Sequence, residues 1–374
     1  MDAYTIKSYD DDYYYYGENS SATGDFNFSV DCPDSNLHGT NVFLPTMYYL
    51  IFFTGFLGNL FVISIVGSKG RRGGRLVDTF VINLALADLI FVLTLPLWAI
   101  SASQNGHWNF GKFGDMLCKL SSYIIAVNRF SNISFLTCMS VDRYLAVVKL
   151  LDSRYLRTSG CIRVTCAVVW FSSMLLGIPS MLYRRVAETS DGLYCLEDNS
   201  SLLFLGLSLT MVVLTFIFPV LIIMLCYGTI IMHLNKHCVA AANPRAEARR
   251  RHSLKMVLSI IVAFVVSWLP FNIFKAIIIG SQLSNANLSC DTQLWHKNGL
   301  LISCCLAFLN SCVNPAIYFF LDRQFRRRAE ILCKFCIGNP KVRHSLNSSA
   351  SFTNNGTSES FGTGGGRTQL QLLE

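Results

Sequence analysis

The residues of this sequence that could do chemistry are a few charges set inside long apolar runs. Asp88, Arg129, Asp142, Arg143 and Lys275 each lie in or at the end of a stretch dominated by Leu, Ile, Val and Phe. A charge in hydrocarbon is costly and marks a functional position by default. The chemistry these groups offer is recognition. An arginine can grip a carboxylate with two parallel N–H donors. Catalysis lacks its parts. His233, His237 and His252 on one side, and His38, His107 and His296 on the other, form no nucleophile–base pair and no set of metal ligands.

Membrane helices must position these charges. Of 374 residues only 14% are charged, against about 25% in ordinary globular proteins, while 52% are hydrophobic and the net charge is +8. Met1–Lys7 has no basic start followed by an apolar core, so no cleavable leader is expected and the first apolar stretch is read as a permanent span. A spanning helix needs roughly 20 apolar residues. Seven runs qualify: 41–68, 76–103, 117–148, 164–183, 202–232, 256–283 and 298–321. Prolines 179, 219, 270 and 315 inside them are tolerable, because neighbouring helices and waters re-satisfy the freed backbone groups.

Basic residues gather in the first, third and fifth connections, around Arg71, Arg72 and Arg75, then Lys149, Arg154 and Arg157, then Lys236, Arg245, Arg249, Arg250, Arg251 and Lys255. Positive charge stays in the cytosol, so the amino terminus is expected outside and the carboxyl terminus inside, in the plasma membrane. Asn19, Asn27, Asn199 and Asn287 open Asn-x-Ser patterns on the expected outer side and are candidate glycosylation sites. The expected fold is an all-α membrane protein, a seven-transmembrane helix bundle over 42–321 followed by a short amphipathic cytoplasmic helix over 322–336. In that helix Phe325, Ala329, Ile331, Leu332 and Phe335 oppose Arg326, Arg327 and Arg328. Cys333 and Cys336 are either palmitoylated or unmodified thiols. The flanks are a Tyr-rich acidic outer tail over 1–41 and a Ser/Thr/Gly/Asn-rich inner tail over 337–374, too polar to build a core.

Seven unequal spans without an internal repeat, and an arginine at a helix end rather than a midplane ion path, count against a transporter or channel. A retinal protein would want a lysine in the middle of the seventh span, which 298–321 lacks.

Short motifs stand in order along the spans: "GN" at Gly58–Asn59, "NLALAD" at Asn83–Asp88, "SVDRYLAVV" at Ser140–Val148, Trp170, "FVVSWLP" at Phe264–Pro270 and "NSCVNPAIY" at Asn310–Tyr318. This set resembles the rhodopsin-like (class A) G-protein coupled receptors across all seven spans. The resemblance implies that Asp142 holds Arg143 in the resting state, with Tyr144 beside it. Release, with Tyr227 and Tyr318 swinging inward, opens a cleft for a G protein. Trp268 above Phe264, on a helix kinked at Pro270, becomes the rotamer switch. Asn314 and Pro315 belong to the seventh-span hinge, and Asp88, Asn132, Asn310 and Asn314 would hold a sodium ion, which is the only metal and the only cofactor implied.

"TLPLW" (Thr94–Trp98) and "WNFG" (Trp108–Gly111), with outer cysteines 32, 118, 195 and 290, resemble the chemokine-receptor neighbourhood. Four cysteines allow three pairings; the resemblance implies Cys118–Cys195 and Cys32–Cys290. The segments "LVDTFVINLALADLIFVLTLPLW" and "MSVDRYLAVVKLLDSRYLRT" are similar to the orphan branch of G-protein coupled receptors fifteen and twenty-five, with the angiotensin and apelin receptors next. Departures matter too. Where chemokine receptors grip a ligand with acids in the second and seventh helices, this chain has Ser101 and Cys304.

The expected function is a cell-surface receptor for a secreted peptide or chemokine. It would act through a heterotrimeric G protein of the inhibitory class and through arrestin, with the lipid bilayer as its medium and no nucleic-acid partner. A decoy receptor that captures chemokine without signalling is the alternative. Trp98, Arg129, Lys275 and Cys304 are the candidate pocket residues, and a cationic pocket would receive an acidic ligand end. Tyr13, Tyr14, Tyr15 and Tyr16, flanked by Asp10–Asp12, resemble sulfation sites that would attract a ligand with a basic body.

Overall fold

A computed structural model describes residues 39–67, 76–149, 158–189, 191–197, 201–237, 244–286 and 288–336. Within them the chain folds as α1 (Thr40–Gly67), α2 (Leu76–Val92), α3 (Leu95–Ser103), α4 (Gly114–Val147), α5 (Ser159–Leu182), β1 (Arg184–Thr189), β2 (Gly192–Glu197), α6 (Leu202–Val212), α7 (Phe218–His237), α8 (Pro244–Leu283), α9 (Cys290–Leu321) and α10 (Arg323–Cys336). Seven spans are long and apolar enough to cross a bilayer. Helix is the form they must take, because hydrocarbon leaves every backbone N–H and C=O to be satisfied within the segment.

Proline chemistry shapes the two composite spans. The second is broken between α2 and α3, where the ring of Pro96 supplies no N–H. Thr94 caps the break by donating its hydroxyl to the Phe91 carbonyl at 2.8 Å. The fifth joins α6 to α7 through a π turn at Val213–Ile217, in which the Phe218 N–H reaches back five residues to the Val213 carbonyl just before Pro219. Other ends carry the hydroxyl caps that helix starts favour: Thr158 accepts from the Cys161 N–H, Ser201 from Phe204 and Ser289 from Thr292.

Three features depart from the sequence reading. The connection between α5 and α6 is an antiparallel hairpin, Arg184 opposite Glu197 through Thr189 opposite Gly192. Its period-2 pattern is too short and too polar to stand out from a loop. Gly192 has φ +139°, and a Cβ there would lie 2.6 Å from the His107 ring; only glycine suits both constraints. The seventh span starts at Cys290 rather than 298, because "CDTQLWHK" continues the helix above the apolar run. In α10, Phe325 and Ala329 are buried as expected, but Ile331 is exposed and Arg328 turns inward. At about 100° per residue, 331 lies well off the face that carries 325 and 329, whereas 328 lies beside it. Arg328 donates from both Nη atoms to Asp78 at 3.3 and 3.4 Å, docking α10 on the inner end of α2.

The core is shared by the inward faces of all seven spans, with Phe135, Leu136, Met139, Ile260 and Phe264 at most 1% exposed. The outward faces keep Val164, Phe171, Leu225 and Phe320 exposed, as lipid contact requires. Small residues allow close approach: Gly58 lies where a Cβ would be 3.0 Å from the Pro315 ring, which seats α1 on α9.

Candidate functional site

A cavity of about 320 Å³ opens between the helices at the end that carries the β1–β2 hairpin. Arg129 of α4 forms part of its floor. Its guanidinium carbon lies 4.7 Å from the Phe130 ring centre, 5.9 Å from Trp268 and 5.7 Å from Phe271. Aromatic faces are partners for a desolvated cation, so the arginine is positioned without an ion pair to any described residue. Its Nε is buried with no hydrogen-bond partner. Trp98 and Cys304 line the same cavity, as does Lys275. Ser101 does not. It is buried and donates to the Gly106 carbonyl at 3.0 Å, closing the turn after α3.

Lys275 has an acidic partner that the sequence analysis did not name. It is ion-paired to Glu197, at the end of β2. The sequence reading missed Glu197 and also Arg184, whose guanidinium lies 5.8 Å from the Trp98 ring and which also lines the cavity. Burial alone would push the Glu197 carboxyl up, but Lys275, then Arg184 and Arg129, hold it below the usual carboxylate range. The hairpin is fixed over the cavity by the Cys118–Cys195 disulfide, with the two Cα atoms 5.7 Å apart. Cys290 is also disulfide-bonded; Cys32, the partner the resemblance implies, lies outside the described residues. So do Tyr13–Tyr16, Asn19, Asn27, Asn199 and Asn287. Cys333 and Cys336 fall in the last turns of α10.

Below the cavity, Trp268 stacks on Phe264 with centroids 6.0 Å apart and planes at 28°. Phe264 in turn faces Phe216 of the π turn at 6.5 Å. Deeper still, Asp88 is fully buried and accepts from Asn128 at 3.0 Å, Asn132 at 2.8 Å and Ser311 at 2.8 Å on one oxygen, and from Asn314 at 3.0 Å on the other. Asn310 makes no hydrogen bond to Asp88, while Asn128 and Ser311, which the sequence reading did not name, do. Helix period explains both, since 128 lies one turn before 132 on α4 and 311 is the neighbour of 310 turned toward α2. The Asn128–Asn132 spacing was a signal available in the sequence. Asn59 donates to the Ser311 carbonyl at 2.8 Å, and Trp170 donates to Asn83 at 2.9 Å, stapling α1 to α9 and α5 to α2.

At the inner end Arg143 Nη2 lies 3.4 Å from Asp142 Oδ2. Tyr144 packs against the core, and Tyr227 is buried with no hydrogen-bond partner for its hydroxyl. Tyr318 is 3% exposed and faces the Phe325 ring of α10 at 6.2 Å. Pro270 and Pro315 sit within continuous α8 and α9.

A cavity at one end, a buried polar core beneath an aromatic stack, and an Asp–Arg pair at the opposite end, all within seven spans, fit a membrane receptor. The chain matches the family model described as 7 transmembrane receptor (rhodopsin family) over residues 58–318, and it belongs to that family, the class A G-protein coupled receptors. It is thus a multi-pass plasma-membrane signalling receptor and not an enzyme. Among curated proteins it is 40% identical over 305 residues to "Probable G-protein coupled receptor 25" of Mus musculus, covering 81% of each chain. It is 39% identical over 299 residues to "G-protein coupled receptor 15" of Mus musculus, covering 80% of this chain and 81% of that one. It is 35% identical over 354 residues to "Apelin receptor A" of Danio rerio, covering 91% and 92%. The chain therefore lies near the branch of receptors fifteen and twenty-five.

Proposed function

We propose that this receptor binds a secreted peptide or chemokine whose acidic end enters the cavity and is held by Arg129. The observation that carries this reading is the guanidinium itself: it lines the cavity among three aromatic rings and has no ion pair to a described residue. A cation so placed feels Glu197 only at a distance and makes no ion pair with a described residue, so a ligand carboxylate can engage it bidentately. The outer tail, its tyrosines sulfated, would attract the ligand's basic body and speed encounter. This reading takes the amino terminus as extracellular, in keeping with the basic inner connections.

Ligand contact with the floor bears on Trp268, whose stack on Phe264 leads toward the Asp142–Arg143 pair. Release of Arg143 admits a G protein, of the inhibitory class by resemblance, and arrestin follows phosphorylation of the inner tail. The intact Asp142–Arg143–Tyr144 triplet favours signalling over a decoy role.

The family also implies a sodium ion at Asp88, and the residues present fit one. The Oδ1 atoms of Asn132, Asn310 and Asn314 are buried without hydrogen-bond partners, and such oxygens are the donors a hard cation prefers. With Asp88 they would hold the ion, which would supply a positive charge to offset the buried carboxylate.

To test the ligand reading, secreted peptides and chemokines are screened with a cyclic-AMP readout, and each hit is compared with its carboxyl-terminal amide. The amide of a true ligand should lose about 100-fold in potency, and Arg129→Ala should erase the difference between the two forms. Equal potency of acid and amide, together with a silent Arg129→Ala, overturns it.

A further inference from the structure

The cavity carries its own carboxylate. Arg129, Arg184 and Lys275 line it, and Glu197 is the acidic residue among them. Glu197 is held firmly. It lies two residues from Cys195, whose disulfide ties β2 to the outer end of α4, and the hairpin ladder pairs it with Arg184. Its backbone therefore stays above the cavity, and any exchange must come from its side chain. That side chain pairs with Lys275, and the two are 20% and 19% exposed.

Building on the carboxylate reading above, we propose that Glu197 is a tethered counter-anion. It occupies the seat on Lys275 that a ligand's acidic end takes by exchange, and so sets which acids can enter. The physical reason is like-charge repulsion. A second carboxylate brought beside Glu197 is disfavoured in a half-dry site, where screening by water is weak. The incoming acid must first be drawn by Arg129 and then displace Glu197 from Lys275. Arg184, the cross-strand neighbour of Glu197, is the cation nearest along the ladder to receive the displaced side chain. A neutral ligand end meets no such barrier and gains nothing from the exchange. Removing the charge of Glu197 opens the seat; removing Lys275 abolishes it.

The experiment uses the full-length receptor in lipid nanodiscs, with 3-phenylpropionate and its uncharged amide as probes, titrated by thermal shift. Glu197→Gln should bind the acid about tenfold tighter than the unsubstituted receptor. The amide should be unaffected, and the gain should vanish in Glu197→Gln/Lys275→Gln. Unchanged or weaker acid binding in Glu197→Gln overturns the inference and makes Glu197 a structural brace. Two failures are separable. If acid and amide bind alike in both proteins, the carboxylate reading falls and this inference with it. If the unsubstituted receptor prefers the acid but Glu197→Gln gains nothing, only the exchange falls. Should Glu197→Gln not reach the membrane, Glu197→Asp shortens the reach to Lys275 and should gain about threefold; no gain there overturns the inference equally.

Discussion

Asp88, Arg129 and Asp142–Arg143 were legible as single residues because each contradicts its surroundings, a polar group where hydrocarbon is expected. Glu197 was not, because an acid in a polar connection contradicts nothing, and only the hairpin's return over the cavity gives it a partner. The pair has a consequence for stability. The Glu197 carboxyl lies below its usual range in the folded protein, chiefly because Lys275 and Arg184 outweigh its burial. A depressed carboxylate stabilises the fold at pH values above the unfolded value of about 4.3, and this contribution is lost as pH falls through the lower folded value. Thermal melting of the purified receptor should therefore change little between pH 7 and 5 through this group and drop below about pH 4. Glu197→Gln should melt lower at neutral pH and show a shallower acid drop.

Among the elements, seven apolar runs identify seven spans, since length and composition alone decide whether a segment can cross a bilayer. The ends were harder. The polar opening turns of α9 and the basic start of α8 are helical because they continue a helix already nucleated, which hydropathy does not report. How the elements seat on one another rests on small residues. A Cβ at Gly58 would lie 3.0 Å from Pro315, tight enough that the ring would have to give way. Gly58→Val should force α1 away from the hinge of α9, costing about 1–3 kcal/mol as overpacking does. The loss should appear as a lower melting temperature and less receptor at the cell surface, while Gly67→Val, in open space, changes neither.

For the whole molecule, the cavity, the Trp268–Phe264 stack, the Asp88 core and the Arg143 pair form one column along the bundle. Such a column can carry a signal if it has two packings, and proline-kinked helices supply a pivot. A sodium ion at Asp88 should favour one of them. Replacing sodium by N-methylglucamine at constant ionic strength should raise basal GTP-analogue loading about two- to fivefold. Asp88→Asn should remove the sodium dependence; loading that ignores sodium in the unsubstituted receptor would exclude the ion from that role. By itself the sequence determined the class: seven spans, an ordered set of polar motifs and the adjacent Asp142–Arg143 charges, all properties of single segments set by local composition and periodicity. The tertiary structure decided which charges meet. It brought Glu197 onto Lys275, Arg328 onto Asp78, and Asn128 and Ser311 rather than Asn310 onto Asp88. Those pairings depend on helix rotation and on a disulfide-held hairpin, which are set by packing between segments far apart in the chain; of them only Asn128, one turn before Asn132, left a local trace in the sequence.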